Sequence, residues 1–208
     1  MKTHFTLLVL LICFPFGDMW GQKPIELKNP SFEADEPSPN KVPTGWVNLG
    51  AADQTPPDIQ PGFFQVIIPA QDGDAYVGLV VRENNTWEGV GQKLDRVLQK
   101  DSSYSFSLFL SRSNTLQSPT AETSELKRFN NPTVLKIWGF NTKTKEEELL
   151  ADSQPVSHSK WVRYEFVLKP TLADFDELDL MAYYAPGFEQ TNGNLLIDNC
   201  SAIETIEK

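Results

Sequence analysis

Cysteine and histidine are scarce in this chain of 208 residues, with two of each. Cys13 lies in an apolar N-terminal run, so a chain cleaved after that run keeps Cys200 alone and forms no intrachain disulfide. His158 is then the remaining histidine, and neither a His-rich zinc pattern nor a nucleophile-elbow motif accompanies it. Thiol, zinc and Ser-His-Asp chemistry are therefore poor explanations of this sequence.

Basic residues are also few, since 18 Lys and Arg stand against 28 Asp and Glu, for a net charge of −10. Phosphate binding needs a surface of Lys and Arg, so the composition argues against a nucleic-acid partner. An acidic surface suits divalent cations and neutral ligands, and sugars are neutral ligands.

Long apolar runs are absent after the N-terminus. The one run, Phe5–Phe16, follows Lys2 and is too short to span a bilayer, which needs about 20 residues. It predicts a signal peptide over residues 1–21 and a mature chain, 22–208, that forms a single domain without a transmembrane segment. We expect an exported protein, located in the periplasm, on the cell surface or in the medium.

Helical periodicity is rare, whereas apolar and polar residues alternate in segment after segment. In Tyr104–Leu110, for example, the even-numbered positions are apolar and two of the three odd-numbered ones are serine. This pattern predicts a β-sandwich with long loops, including a polar loop over 112–132. The run Glu146–Leu150 is compatible with a helical turn or a strand. The predicted strands are Phe63–Ile68, Ala75–Arg82, Tyr104–Leu110, Val134–Trp138, Trp161–Leu168, Leu178–Tyr184 and Leu195–Ile203.

Several motifs, in order along residues 25–205, resemble those of galactose-binding-like jelly-roll domains of the carbohydrate-binding-module type. They are Asn29–Glu33, Pro43–Trp46, Asp72–Leu79, Trp161–Phe166 and Leu196–Asn199. The resemblance implies an all-β sandwich of the jelly-roll class. It also implies an exported protein of the kind found in envelope and gliding-associated assemblies of Bacteroidota-type bacteria.

In that family a structural calcium ion commonly joins the first and last strands. Glu33 of the opening motif and Asp198 of the closing motif match its carboxylate ligands, and Asp72 lies in a turn that can supply further oxygens. The resemblance thus implies a Ca²⁺ site at Glu33, Asp72 and Asp198. The alternative is that Glu33 accepts backbone N–H bonds and Asp198 caps a turn.

A sugar site needs aromatic faces for stacking and planar polar groups for hydroxyls. The segment 82–88 is the densest cluster of such side chains, and Phe109, Lys136 and Met181 share the outward-facing positions of neighbouring strands with other aromatics. Arg82 and Glu88 are equally compatible with an ion pair that fixes their loop. The candidate ligand-binding residues are Arg82, Asn84, Trp87, Glu88, Arg112, Trp138 and Tyr183.

These features favour non-catalytic binding of a polysaccharide or another glycan. On this interpretation Trp87→Ala weakens binding with little loss of stability. The alternative is an interaction or structural module whose partners are envelope proteins. A carbohydrate-active enzyme, which needs no more than two suitably spaced carboxylates, is the third possibility.

Overall fold

Fourteen strands and no helix make up the part of the chain that a computed structural model describes, residues 23–54, 56–119 and 125–207. The predicted signal peptide, 1–21, lies outside this part. No helix long and apolar enough to cross a membrane occurs among these residues. The strands are β1 (Val47–Asn48), β2 (Asp58–Gln60), β3 (Tyr76–Arg82), β4 (Thr86–Trp87), β5 (Gly89–Leu98), β6 (Tyr104–Ser111), β7 (Gln117–Pro119), β8 (Leu126–Arg128), β9 (Thr133–Phe140), β10 (Glu147–Asp152), β11 (Val162–Leu168), β12 (Phe175–Tyr184), β13 (Gly193–Asp198) and β14 (Glu204–Thr205).

Two antiparallel sheets carry the fold. The five-stranded sheet has the order β1-β5-β12-β9-β10, and the seven-stranded sheet has β11-β6-β13-β3-β2, with β14 paired to β6 and β4 to β3. The strands β7 and β8 form a separate hairpin. The predicted fold class, an all-β sandwich, is confirmed.

The core lies between the two sheets, where the alternating apolar positions face each other. Tyr104, Phe106, Leu108 and Leu110 of β6 all belong to this core, as the alternation predicts. From the other sheet, Leu178, Leu180 and Ala182 of β12 and Leu135 and Ile137 of β9 are fully buried. The intervening residues of each strand therefore point away from the core, and they form the two outer faces of the sandwich.

The segment that covers one outer face departs from the prediction. Phe63–Ile68 is not a strand, because Phe64 and Gln65 adopt left-handed backbone angles (φ 53° and 63°) and the Val66 amide closes a turn onto the Phe63 carbonyl. With part of the 112–132 segment, this stretch covers the outer face of the seven-stranded sheet. A second apolar cluster forms there from Val66, Tyr76, Val80, Leu116, Phe129 and Leu196, with Phe64 and Trp161 against it.

One further boundary differs, and one open alternative is decided. The stretch 195–203 is broken after Asp198, where Asn199 takes a left-handed φ of 48° and the chain leaves the sheet before β14. The acidic run 146–150 belongs largely to strand β10 and forms no helical turn. β10 is an edge strand, and its charged residues face solvent, as is common where strand edges must be kept from pairing.

Candidate functional site

Among the described residues no second apolar cluster covers the outer face of the five-stranded sheet, although the Leu49 side chain lies over Gly91 at its β1 side, and we call this face the open face. Cross-strand register places its side chains in rows across β5, β12, β9 and β10. One row contains Gly91, Asp179, Trp138 and Leu149. The adjacent rows contain Gly89, Met181 and Lys136 on one side, and Lys93, Glu177, Phe140 and Glu147 on the other.

With strands about 4.8 Å apart and about 6.8 Å between same-face residues, the open face measures about 14 Å by 20 Å. Trp138, Met181, Tyr183 and Lys136 all lie on it, as the alternation predicted. Phe109 also points away from the core, but from β6 in the other sheet. The open face therefore combines aromatic, aliphatic and carboxylate groups on a surface long enough for several linked units of a polymer.

Two glycines of β5 make room for larger side chains of β12. A Cβ at Gly91 would lie 2.6 Å from Asp179 Oδ1, and a Cβ at Gly89 would lie 2.7 Å from Met181 Cγ. The side chains of Asp179 and Met181 thus lean over glycine and pack close to the sheet. Any larger residue at Gly91 would displace the carboxyl group of Asp179.

Asp179 and Trp138, which are cross-strand neighbours, each leave a polar atom unpaired. Asp179 Oδ1 and Trp138 Nε1 are buried and have no hydrogen-bond partner among the described residues. Buried polar groups are nearly always paired, so two orphaned atoms on adjacent residues require an explanation. A ligand that offers both a donor and an acceptor at this point would satisfy both atoms.

The protonation of Asp179 fits the same location. Burial raises its pKa to about 7, and the negative charges of Glu177 and Glu147 act in the same direction. Near neutral pH the carboxyl group of Asp179 is therefore protonated in a large fraction of molecules. In that form it both donates and accepts hydrogen bonds, as recognition of a hydroxyl group requires.

Tyr183 and Trp87 form the end of the open face. Their ring centroids are 4.9 Å apart, and Lys136 Nζ lies 4.4 Å from the centroid of the Tyr183 ring. The Tyr183 ring is thus already engaged by two side chains. By contrast, no aromatic ring of the described residues packs on Trp138. Trp138 is accordingly the better platform for stacking a ligand.

The remaining predicted ligand residues lie elsewhere. Arg82 and Glu88 form a buried ion pair on the other outer face, with side chains that are 12% and 3% exposed. The Asn84 side chain accepts hydrogen bonds from the amide and hydroxyl groups of Thr86 within its own turn. Arg112 donates to the backbone carbonyls of Asn130 and Ser157, so it joins two loops. The structure therefore places Trp138 and Tyr183 on the open face and Trp87 at its end, against Tyr183, and the other four lie elsewhere.

The three predicted calcium ligands meet at one turn, residues 71–75. Asp198 Oδ2 accepts hydrogen bonds from the amides of Gln71 and Asp72, at 2.7 and 3.0 Å, and Glu33 Oε1 accepts those of Asp74 and Ala75, both at 3.1 Å. Glu33 and Asp198, from the two ends of the domain, thus hold this turn in place through hydrogen bonds. A Cβ at Gly73 would lie 2.3 Å from Glu33 Oε1, which explains the glycine.

The donors that surround these carboxylates are N–H groups, which matches the alternative interpretation of Glu33 and Asp198. The described residues contain no group of three or more His, Cys, Asp or Glu side chains placed to hold a metal ion. A calcium ion takes six to eight oxygen ligands, and the turn presents amides to the carboxylates where such a site needs carbonyls. Calcium binding therefore stays a prediction of the resemblance, to be tested by chelation.

Sequence reasoning missed Asp179, although a signal for it existed. The alternation of Leu178–Tyr184 places Asp179 on the same face as Met181 and Tyr183. What the sequence does not show is that Gly91 and Trp138 are its neighbours on the adjacent strands, because strand order is a property of the whole sheet.

Comparison with known proteins supports the fold. No protein-family model and no curated protein matches the chain. Among solved structures, a cyclase from Fischerella sp. TAU is 14% identical with a TM-score of 0.55, over 89% of this chain and 99% of that chain. A Stig cyclase, Fisc, from the same organism, in complex with (3Z)-3-(1-methyl-2-pyrrolidinylidene)-3H-indole, is 15% identical with a TM-score of 0.53, over 88% and 98%.

A carbohydrate-binding module has the same fold. The CBM22-1 xylan-binding domain of Paenibacillus barcinonensis Xyn10C is 15% identical with a TM-score of 0.51, over 89% of this chain and 98% of that domain. At these identities the likeness shows the fold alone. The chain is thus a β-sandwich of the type shared by carbohydrate-binding modules and by the cyclases, and its function has to be argued from its own side chains.

Proposed function

We propose that the protein binds a neutral glycan chain on the open face without altering it. The observation that carries the proposal is the pair Asp179 and Trp138, which leaves one buried acceptor and one buried donor unpaired beside a half-buried indole. Vicinal hydroxyl groups of a pyranose supply a donor and an acceptor, and its C–H face stacks on an aromatic ring.

The charges of the open face restrict the ligand. Glu177 and Glu147 lie beside Asp179, and burial, followed by the charge of Asp176, raises the pKa of Glu177. An anionic glycan would bring further negative charge next to these carboxylates, and it would be disfavoured. Of the two lysines in the adjacent rows, Lys136 lies over the ring of Tyr183, and Lys93 lies 3.6 Å from a carboxylate oxygen of Asp176. A neutral polysaccharide is therefore the best match, and the likeness to a xylan-binding domain agrees with it.

The test is binding of the purified protein to neutral polysaccharides (xylan, mannan, galactan, mixed-linkage glucan) and to acidic ones (pectate, alginate). A shallow face with one stacking aromatic predicts dissociation constants in the micromolar to millimolar range, about 4 to 8 kcal/mol of binding free energy. Trp138→Ala should lower the affinity for a neutral polysaccharide at least tenfold.

Trp161→Ala is the matched control. Trp161 packs edge-on against Tyr76 on the outer face of the seven-stranded sheet, and its indole N–H donates to the Pro69 carbonyl at 2.8 Å. Loss of the same side chain there should reduce stability. Glycan affinity should stay within about twofold of the wild type, because distant sites act independently. Equal loss of binding in both variants, or a preference for acidic polysaccharides, would overturn the proposal.

Asp179 also supports a second candidate function, acid catalysis. A carboxyl group that keeps its proton near pH 7 and faces an aromatic surface has the properties of a general acid. Reducing-end release from the bound polysaccharide would establish this function, and Asp179→Asn would then abolish turnover and retain binding. For the binding function that we favour, no product forms.

Export and calcium binding complete the proposal. The run Phe5–Phe16 supports export, and its test is the N-terminal sequence of the protein recovered from the periplasm or medium. Calcium binding at the 71–75 turn would tie both ends of the domain together, so its test is the melting temperature with calcium and after chelation. An unchanged melting temperature would remove calcium from the proposal. Assembly with envelope proteins is tested by pull-down from an envelope extract.

A further inference from the structure

A partly enclosed cavity lies on the opposite side of the sandwich from the open face. It has a volume of about 170 Å³ and lies between the outer face of the seven-stranded sheet and the segments that cover it. We call it the Asp58 cavity. Its lining is polar at the sheet and largely apolar at the cover: Asp58, Val80, Arg82 and Glu88 come from the sheet side, and Asn40, Gln54, Phe64, Leu116, Ser118, Pro119 and Phe129 from the segments around it.

The floor of the cavity consists of three ionisable groups. Arg82 pairs with Glu88 Oε1, and Glu88 Oε2 accepts the Val80 amide at 3.0 Å, where β3 passes from its partner β2 to its partner β4. Asp58 Oδ1 accepts the Asn40 amide at 2.8 Å. Fixing a loop needs one ion pair, whereas this site has a second buried carboxyl group and an empty volume above it. Buried charges are costly even when they are paired, so a second buried carboxyl group beside the ion pair requires an explanation.

The charges of the floor nearly balance. Burial raises the pKa of Glu88 to about 8 and that of Asp58 to about 6, although Arg82 acts in the opposite direction on both. The floor thus contains the Arg82–Glu88 ion pair and a second carboxyl group, Asp58, whose ionisation burial disfavours. Such a floor offers both donors and acceptors to a neutral ligand, and an anion would face two carboxyl groups.

The volume and the lining of the Asp58 cavity restrict which ligands it can hold. At about 30 Å³ for each water, the cavity has room for roughly six water molecules, which is about the space of one sugar ring. The rings of Phe64 and Phe129 and the side chain of Leu116 offer apolar contact for the C–H face of such a ring.

We propose that the Asp58 cavity is a second binding site that holds one neutral monosaccharide. Its chemistry is that of a small polyhydroxylated ligand: charged and amide groups bond paired hydroxyls at the floor, and aromatic walls contact the ring. The site is separate from the open face, and it does not depend on polysaccharide binding there.

The experiment is ligand-observed and protein-observed NMR with free monosaccharides. The probes are D-galactose, D-glucose, D-xylose and L-fucose, with D-galacturonate and D-glucosamine as charged counterparts. We expect at least one neutral sugar to bind with a millimolar dissociation constant and to shift the backbone amides of Asn40, Ser118 and Val80. These three shifts should persist in Trp138→Ala, because the three amides lie on the opposite side of the sandwich from the open face. Galacturonate should bind at least tenfold more weakly than the neutral sugar.

Two variants separate this site from the open face. Ser118→Trp places a large ring at the cavity wall without changing Asp58, Arg82 or Glu88, and it should weaken monosaccharide binding at least tenfold while polysaccharide binding persists. Trp138→Ala should have the reverse pattern. If no monosaccharide shifts the three cavity amides in the folded wild-type protein, or if Ser118→Trp folds and binds normally, Arg82 and Glu88 serve structure alone and the proposal is wrong.

Discussion

The two outer faces of the sandwich differ in the hydrogen-bond partners of their buried polar side chains. On the seven-stranded sheet, Asn194 is fully buried and bonded to the Ser113 amide, the Ser113 carbonyl and the Phe129 carbonyl, and the Asp198 oxygens accept three amides. On the five-stranded sheet, Asp179 and Trp138 each keep one buried polar atom unpaired. The covered face thus pairs Asn194 and Asp198 with backbone groups, although Gln60 Nε2 and Ser111 Oγ are unpaired there, whereas on the open face an unpaired donor and an unpaired acceptor lie on neighbouring strands.

This difference separates structural from functional polar residues. A buried side chain that forms hydrogen bonds with backbone groups stabilises the fold, because its removal leaves those groups unpaired. A buried polar atom without a partner makes no such contribution and costs stability, and a ligand that pairs with it would explain why the residue is kept. Substitutions on the two faces should therefore change stability and affinity in opposite combinations.

The largest effect is expected at Asn194. Asn194→Ala removes three hydrogen bonds and leaves the Ser113 amide and two carbonyls buried without partners, so we expect a loss of about 3 kcal/mol or more in the free energy of unfolding. Urea unfolding followed by circular dichroism measures it. Glycan affinity of the folded fraction should not change. A loss below about 1 kcal/mol would mean that water replaces the side chain, and the contrast between the faces would fail.

An intermediate effect is expected at Trp87, which lies where the two sheets meet. Its ring contacts Tyr183 on the open face and Tyr184, 6.2 Å away edge-on, and it packs against the core. Trp87→Ala should thus cost about 2 kcal/mol of stability and weaken glycan binding several-fold through Tyr183. This expectation differs from the one drawn from sequence, which assigned the indole to a ligand with little structural role.

For Trp87 the decisive comparison is Trp87→Phe. A phenyl ring retains the contacts with Tyr183 and Tyr184 and loses the indole N–H, so most of the stability and affinity should return. Thermal unfolding and titration with the polysaccharide that binds best report the two quantities separately. Full stability in Trp87→Ala, with binding lost, would show instead that the ring contacts the ligand directly.

Alternation and turn chemistry predicted the sandwich and the direction of most side chains, because each depends on neighbours along the chain. Trp138, Tyr183, Met181 and Lys136 were assigned to an outward face on this basis, and they share one. The prediction over Phe63–Ile68 was wrong because the left-handed angles at Phe64 and Gln65 follow from packing of this segment onto Tyr76 and Leu196, not from its own residues.

The candidate site was harder to predict because it is made by strand order. Asp179 is a candidate ligand-binding residue because it lies between Gly91 on β5 and Trp138 on β9, which are 88 and 41 residues away along the chain. Conversely, Arg82, Asn84, Trp87 and Glu88 are close in sequence, yet the hairpin between β3 and β4 sends them to different sides of the sandwich. Proximity along the chain thus predicted one site, whereas the fold places its residues in two separate locations.

The smallest effect, and the one of opposite sign, is expected at Asp179. Its pKa in the folded protein is raised from 3.8 to about 7, so the unfolded chain ionises first as the pH rises. Asp179 therefore lowers stability progressively between about pH 4 and pH 7, and the loss is complete above pH 7. Asp179→Asn cannot ionise, so at pH 8 the variant should be more stable than the wild type, by on the order of 1 to 2 kcal/mol.

Urea unfolding at pH 4 and pH 8 tests this sign. The wild type should lose more stability between the two pH values than Asp179→Asn, and the variant should still lose some, because Asp58, Glu88 and Asp198 also have raised pKa values. Asp179→Ala, which has neither a donor nor an acceptor at this position, should bind glycan at least fivefold more weakly at pH 6. Higher stability of Asp179→Asn together with weaker binding by Asp179→Ala identifies a residue kept for its ligand, whereas lower stability of the first variant with unchanged affinity of the second would place Asp179 among the structural polar groups of the other face.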